Sequence, residues 1–120
     1  GVVIGGIEMR LKGIDAPEGR QSCEREGRLW ACGEAARREL QRLMTGREVS
    51  CSDHGKDQHD RRLATCHAGG TNVNEAMVRA GYALAYGAYE RAEREARQLK
   101  RGLWSGTFER PRDWRDKHMR

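Results

Sequence analysis

Met9-Arg-Leu-Lys-Gly-Ile-Asp-Ala-Pro-Glu18 is the stretch that decides the fold. Ile7, Met9 and Leu11 alternate with Glu8, Arg10 and Lys12, a period of two that predicts a half-buried strand. Gly13 then loosens the backbone and Ile14 returns to the core. Pro17 fixes its own φ and keeps Ala16 out of the helical region, so the strand runs into a stiff turn. One arginine therefore projects from a strand, and two carboxylates, Asp15 and Glu18, follow in the turn. Phosphodiester chemistry needs those parts: a cation for the phosphate, a carboxylate for a metal and a carboxylate for a water.

Upstream, Val2 to Ile4 and the Gly5-Gly6 pair predict a hairpin with this strand, since Gly-Gly supplies the positive φ of a two-residue turn. Downstream, Gly19 to Cys32 is a polar loop that a disulfide would staple, with Trp30 packing it onto the body. Gly33 to Met44 predicts a helix with Ala36, Leu40, Leu43 and Met44 on one face. Glu48 to Ser52 and Arg61 to His67 predict a second hairpin. Asn72 with Glu75 has the spacing of a capping box for a helix to about Ala80. Tyr82 to Tyr86 predicts a short strand, and Glu90 to Lys100 a last helix anchored by Leu103 and Trp104. Pro111 marks Phe108 to Trp114 as an extended tail, and Asp113 to Arg120 is charged enough to fray. Strands first, with helices between and after them on short turns, predict an α+β fold, mainly a five-stranded antiparallel barrel carrying three helices.

The 120 residues suit one domain, read as residues 1–115 with a charged tail at 116–120. A net charge of +5 favours polyanionic partners, although a solvated surface would explain the charge as well. No apolar run approaches membrane-spanning length. The chain opens inside a strand pattern, which reads as a trimmed or mature form. Four cysteines allow three pairings. Scattered histidines and the lack of a Cys-x-x-Cys spacing argue against zinc. The favoured pairings are Cys23–Cys32 and Cys51–Cys66, the second across the predicted hairpin, and they point to a secreted or periplasmic setting.

Four motifs in order then carry a resemblance. Arg10-Leu-Lys-Gly-Ile-Asp-Ala-Pro-Glu18, Asp57-Gln-His-Asp-Arg-Arg-Leu-Ala64, Val73-Asn-Glu-Ala-Met-Val-Arg-Ala-Gly-Tyr-Ala83, and Glu93 to Trp104 together resemble the staphylococcal-nuclease-like (thermonuclease) domain. The resemblance implies an OB-fold barrel carrying three helices and calcium-dependent cleavage of DNA and/or RNA; the chain is read as a monomer. By position it implies that Arg10 and Arg61 contact the phosphate, with Arg62 a register rival to Arg61. It implies that Asp15 and the backbone carbonyl of Ala16 hold calcium, and that Glu18 activates the attacking water. Tyr86 and Tyr89 lie where the family places aromatics near the base, although core packing explains Tyr86 equally.

The chain also departs from the family pattern. A further metal-binding aspartate would fall just before Gly1. His59 stands where tyrosine is usual, and Asp60 where glycine is usual, so that Asp60 could pair with Arg61 or repel substrate. Singly, each site residue has a plain reading as a surface or turn residue; as one constellation they favour an enzyme. The alternative is a catalytically inactive module of the same fold that binds nucleic acid or protein.

Overall fold

Alternation at the start of the chain does produce a hairpin. The computed structural model describes residues 2–4 and 6–119, and not the side chain of Ile4. Strand β1 (Val2–Ile4) pairs antiparallel with β2 (Ile7–Leu11), with Ile4 opposite Ile7. Gly5 of the predicted turn lies outside the described residues, and Gly6 has φ 80°. Met9 is buried as expected, whereas Ile7, at the hairpin end of β2, is exposed.

Strand β3 (Ile14–Asp15) is followed by a small arm, β4 (Cys23–Arg25) and β5 (Arg28–Trp30), and by helix α1 (Cys32–Met44). Next come β6 (Val49–Lys56), β7 (Arg62–Ala68), β8 (Thr71–Asn72) and α2 (Val73–Arg79). Strand β9 (Leu84–Ala85), α3 (Glu90–Gln98), a 3₁₀ turn (Gly102–Ser105) and α4 (Pro111–His118) complete the chain. The main sheet has five strands in the order β1-β2-β7-β6, with β8 also on β7.

The α+β class and the five-stranded sheet agree with the sequence reading and are compatible with an OB-like architecture. Two details differ. First, β2 and β7 run parallel, Met9 to Leu11 beside Arg62 to Ala64, whereas an all-antiparallel sheet was expected. Alternation specifies which face a residue takes and not strand direction. The β4–β5 arm and α1 lie between the two strands in sequence and supply the long crossover that parallel neighbours need. Second, the described residues form four α-helices rather than three. Residues 111–118, expected to be extended and then fraying, form α4. Pro111 occupies the first helical turn, where its missing N–H costs nothing, and Trp114 is buried one turn later.

The core is built on α2. Val73, Met77 and Val78 are buried against Ala64, Cys66 and Ala68 of β7, with Ala36 and Leu43 of α1 and Ala92 of α3. The capping prediction holds: Asn72 Oδ1 accepts the Glu75 backbone N–H at 3.0 Å. Asn74, fully buried, is the polar stitch. It accepts from Cys66 N at 3.1 Å and donates to the carbonyls of Lys12 at 2.9 Å and Ala64 at 3.0 Å. The end of β2 is thereby locked to β7 just before the turn bearing Asp15. A second cluster gathers Cys23, Cys32, Leu84 and Leu103, with Trp30, Trp104 and Phe108 around them.

Both favoured disulfides are present, Cys23–Cys32 and Cys51–Cys66. Cys51 and Cys66 face each other directly across the β6–β7 hairpin. Cross-linking residues 15 apart in sequence should stabilise the fold by about 3 kcal/mol. The paired substitution Cys51→Ala with Cys66→Ala is therefore expected to lower the unfolding free energy measured in urea by about 3 kcal/mol, with a steeper transition because the uncross-linked unfolded chain exposes more surface. Among the described residues no helix is long and apolar enough to cross a membrane.

Candidate active site

The parallel pairing of β2 with β7 places Arg10 opposite Leu63, so Arg61, just ahead of β7, arrives from the neighbouring strand. Asp57 fixes that approach. Its Oδ1 accepts the backbone N–H groups of His59 at 2.8 Å and Arg61 at 2.9 Å, and its Oδ2 accepts Arg61 Nε at 3.0 Å. The Arg61 backbone N–H is the main reason the Asp57 carboxyl sits below its ordinary 3.8. A depressed carboxylate stabilises the fold above its unfolded value, so this anchor is complete above about pH 3.8 and lost as the pH falls through the lower folded value.

Asp60, which could have paired with Arg61, instead meets Lys56 Nζ at 3.1 Å. Its φ of 62° explains why glycine is usual there, since aspartate is among the few other residues that tolerate the left-handed region. Arg62, the register rival, is engaged by Asp53 at 2.7 Å.

Asp15 is held on a short ladder. Strand β3 pairs antiparallel with β9, Asp15 opposite Leu84, and Tyr86 N donates to Gly13 O at 2.8 Å. Glu18 is held by Gln21, a buried residue with four useful bonds. Gln21 N donates to Glu18 O at 2.9 Å, and Gln21 Oε1 accepts Glu18 N at 3.3 Å. Gln21 O accepts Gly33 N at 3.0 Å, and its Nε2 donates to Glu109 O at 2.9 Å. Gln21 thus ties the Glu18 turn to α1 through its main chain and to the segment entering α4 through its side chain. Ala16 lines a cavity of about 110 Å³ with Arg10, Pro17, Glu18, Leu40 and Met77.

The predicted aromatics divide. Tyr86 is 70% exposed rather than packed in the core. Tyr89 packs against the core, and its hydroxyl accepts from Asn72 Nδ2 at 3.4 Å.

Arg115 of α4 was not singled out by its sequence. Its Nη1 donates to Asp15 Oδ1 at 3.1 Å and Glu18 Oε1 at 3.2 Å, and its Nη2 reaches Asp15 Oδ2 at 3.5 Å. Burial pulls this guanidinium down, but its hydrogen bonds and attraction to Asp15 and Glu18 outweigh that and raise it above the usual arginine value. Arg10 shifts the other way. Burial lowers it first, then repulsion from Arg61 and Arg115, against attraction to Asp15 and Glu18. It stays charged, as arginine does in proteins. Arg10 therefore senses Arg61, Arg115, Asp15 and Glu18 together, and with Asp57 on Arg61 the three guanidiniums are matched by three carboxylates.

Two carboxylate oxygens converging on one point are the ligands of a hard cation. Among the described residues no group of three His, Cys, Asp or Glu side chains gathers to hold a metal. The oxygens fit calcium in kind, with carbonyl and water oxygens needed to complete its about six to eight ligands. They fit it only in place of the Arg115 guanidinium.

Residues 8–106 match the family described as staphylococcal nuclease homologue. The chain belongs to this family. Over 106 residues it is 37% identical to an uncharacterized endonuclease of Escherichia coli O157:H7, covering 82% of this chain and 63% of that protein. Over 127 residues it is 35% identical to micrococcal nuclease of Shigella flexneri, covering 91% of this chain and 68% of that protein. It is also 33% identical over 114 residues to a probable staphylococcal-like nuclease, CAN2, of Oryza sativa subsp. japonica. There it covers 89% of this chain and only 28% of the rice protein. The staphylococcal nuclease match ends at residue 106, so α4 and Arg115 lie beyond it.

Proposed function

We propose that this chain hydrolyses phosphodiester bonds of DNA and/or RNA, with calcium as cofactor, as a monomer in a secreted or periplasmic setting. The observation that supports this reading is that Arg10 stands within electrostatic reach of Arg61, Asp15 and Glu18. Family membership and two disulfides support it. The alternative, a binding module without catalysis, is favoured by one observation: Arg115 already engages both carboxylates.

Arg10 and Arg61 would take the non-bridging phosphate oxygens, and planar guanidiniums stabilise charge as it grows on them in the transition state. Glu18 would accept a proton from water as the water oxygen attacks phosphorus and the ester oxygen departs. Asp15 and the Ala16 carbonyl would hold calcium, which supplies Lewis acidity to the phosphate when bound. Tyr86 offers an exposed ring on which a base can stack.

Single-stranded DNA incubated with the protein and calcium should be cleaved, and cleavage should stop with chelator and in Arg61→Ala. Binding without cleavage under every metal condition would establish the module instead. Tyr86 gives a separate check. Base–aromatic stacking is worth ~1–3 kcal/mol, so Tyr86→Ala should weaken single-stranded DNA binding about five- to 150-fold, with an unchanged melting temperature.

A further inference from the structure

We infer that Arg115 and a divalent cation are competing occupants of the Asp15–Glu18 carboxylate pair, which makes α4 a latch over the site. The inference rests on the calcium reading above and adds a regulatory element outside the family match.

The geometry supports competition rather than coexistence. A single nitrogen of Arg115 lies 3.1 Å from Asp15 Oδ1 and 3.2 Å from Glu18 Oε1. A cation bound by the same two oxygens, at the usual ~2.3–2.6 Å, would lie close to that nitrogen's position. Two like charges have no room there together. Charge balance favours exchange. The guanidinium brings one positive charge to two carboxylates, whereas a divalent ion brings two.

Arg115 is delivered by a docked helix. Pro111 and Trp114 are buried, and Trp114 stacks on His118 with ring centroids 4.2 Å apart. Gln21 holds the Glu109 carbonyl ahead of the helix. The last turn carries Lys117, which meets Glu109 at 2.7 Å. Arg10 also repels Arg115 across the site, which favours its release. Withdrawing the guanidinium requires Arg115 to swing out or α4 to lift, and either loosens the helix.

Competition lowers the apparent affinity for the cation by the fraction of time the carboxylates are free. A site free one tenth of the time binds about ten-fold more weakly than its intrinsic value. Two measurements on the full chain test this. The first is calcium titration by calorimetry of the wild type, Arg115→Lys and Arg115→Gln. The second is hydrogen exchange of residues 111–118 with and without calcium, which needs no variant.

The expected result is calcium binding about ten-fold or more tighter in Arg115→Gln, an intermediate value for Arg115→Lys, and faster exchange of α4 when calcium saturates the wild type. Equal or weaker binding by Arg115→Gln, or α4 protection untouched by saturating calcium, overturns the latch. No calcium binding by any of the three proteins overturns both the latch and the calcium reading. DNA cleavage by the wild type, with affinity unaltered in Arg115→Gln, overturns the latch alone. Tighter calcium binding by Arg115→Gln with calcium-loosened α4, yet no cleavage, keeps the latch and overturns the nuclease reading.

Discussion

Glu18→Gln is expected to lower kcat for single-stranded DNA cleavage by ~10²–10⁴-fold, the usual cost of removing a general base. Glutamine keeps the size of the side chain and an oxygen acceptor for Arg115, so the hydrogen bond at Oε1 can persist. It removes the capacity to take a proton from water and one negative charge from the Asp15–Glu18 pair, so the comparison is made at saturating calcium. Substrate affinity should therefore change little, because Arg10 and Arg61 are untouched, and the loss should appear in kcat rather than KM. Steady-state kinetics with calcium present is the measurement. A variant with near wild-type kcat would remove Glu18 from the chemistry and leave it as a partner of Arg115.

Gly33→Ala is expected to be among the most damaging glycine-to-alanine changes at the described residues. Gly33 is the second residue of α1, and a Cβ there would fall inside contact distance of the Glu18 carbonyl oxygen and close to the Gly19 backbone, 2.9 Å from its carbonyl carbon. Both partners are main chain, so no side chain can turn aside. Alanine would gain up to about 1 kcal/mol of helix propensity over glycine. Overpacking against a rigid backbone costs about 3 kcal/mol at its upper end, so the clash wins. The turn that yields is the one carrying Glu18, and a shift of about 1 Å there can cost about 10²-fold in rate. Thermal denaturation and cleavage should both fall. Gly19→Ala is the control: its Cβ would meet nothing within 4 Å, and its stability should stay within about 0.5 kcal/mol of wild type.

Much of this was legible in the chain itself. Alternation through Met9 and Leu11 located β2, and the Asn72–Glu75 spacing located the start of α2. Opposed positions on a hairpin accounted for Cys51–Cys66. Pro111, by contrast, read as a breaker although it opens α4. The signal was there in Pro111, Trp114, Arg115 and His118, spaced at three, four and seven residues as one helical face. Gln21 and Asn74 gave no signal, because a polar residue in a polar stretch looks the same whether solvated or buried.

The sequence by itself determined the local parts: which segments are strands and helices, which cysteines could face one another, and which charges sit on a strand or in a turn. Those follow from backbone preference and side-chain period, which act over a few residues. Only the tertiary structure decided that β7 runs parallel to β2, that Gly33 packs on the Glu18 carbonyl, and that Arg115 reaches Asp15 and Glu18 from about a hundred residues away. Coulomb attraction between partly buried charges depends on distance in space and on local dielectric. Neither is written in the spacing of residues along the chain.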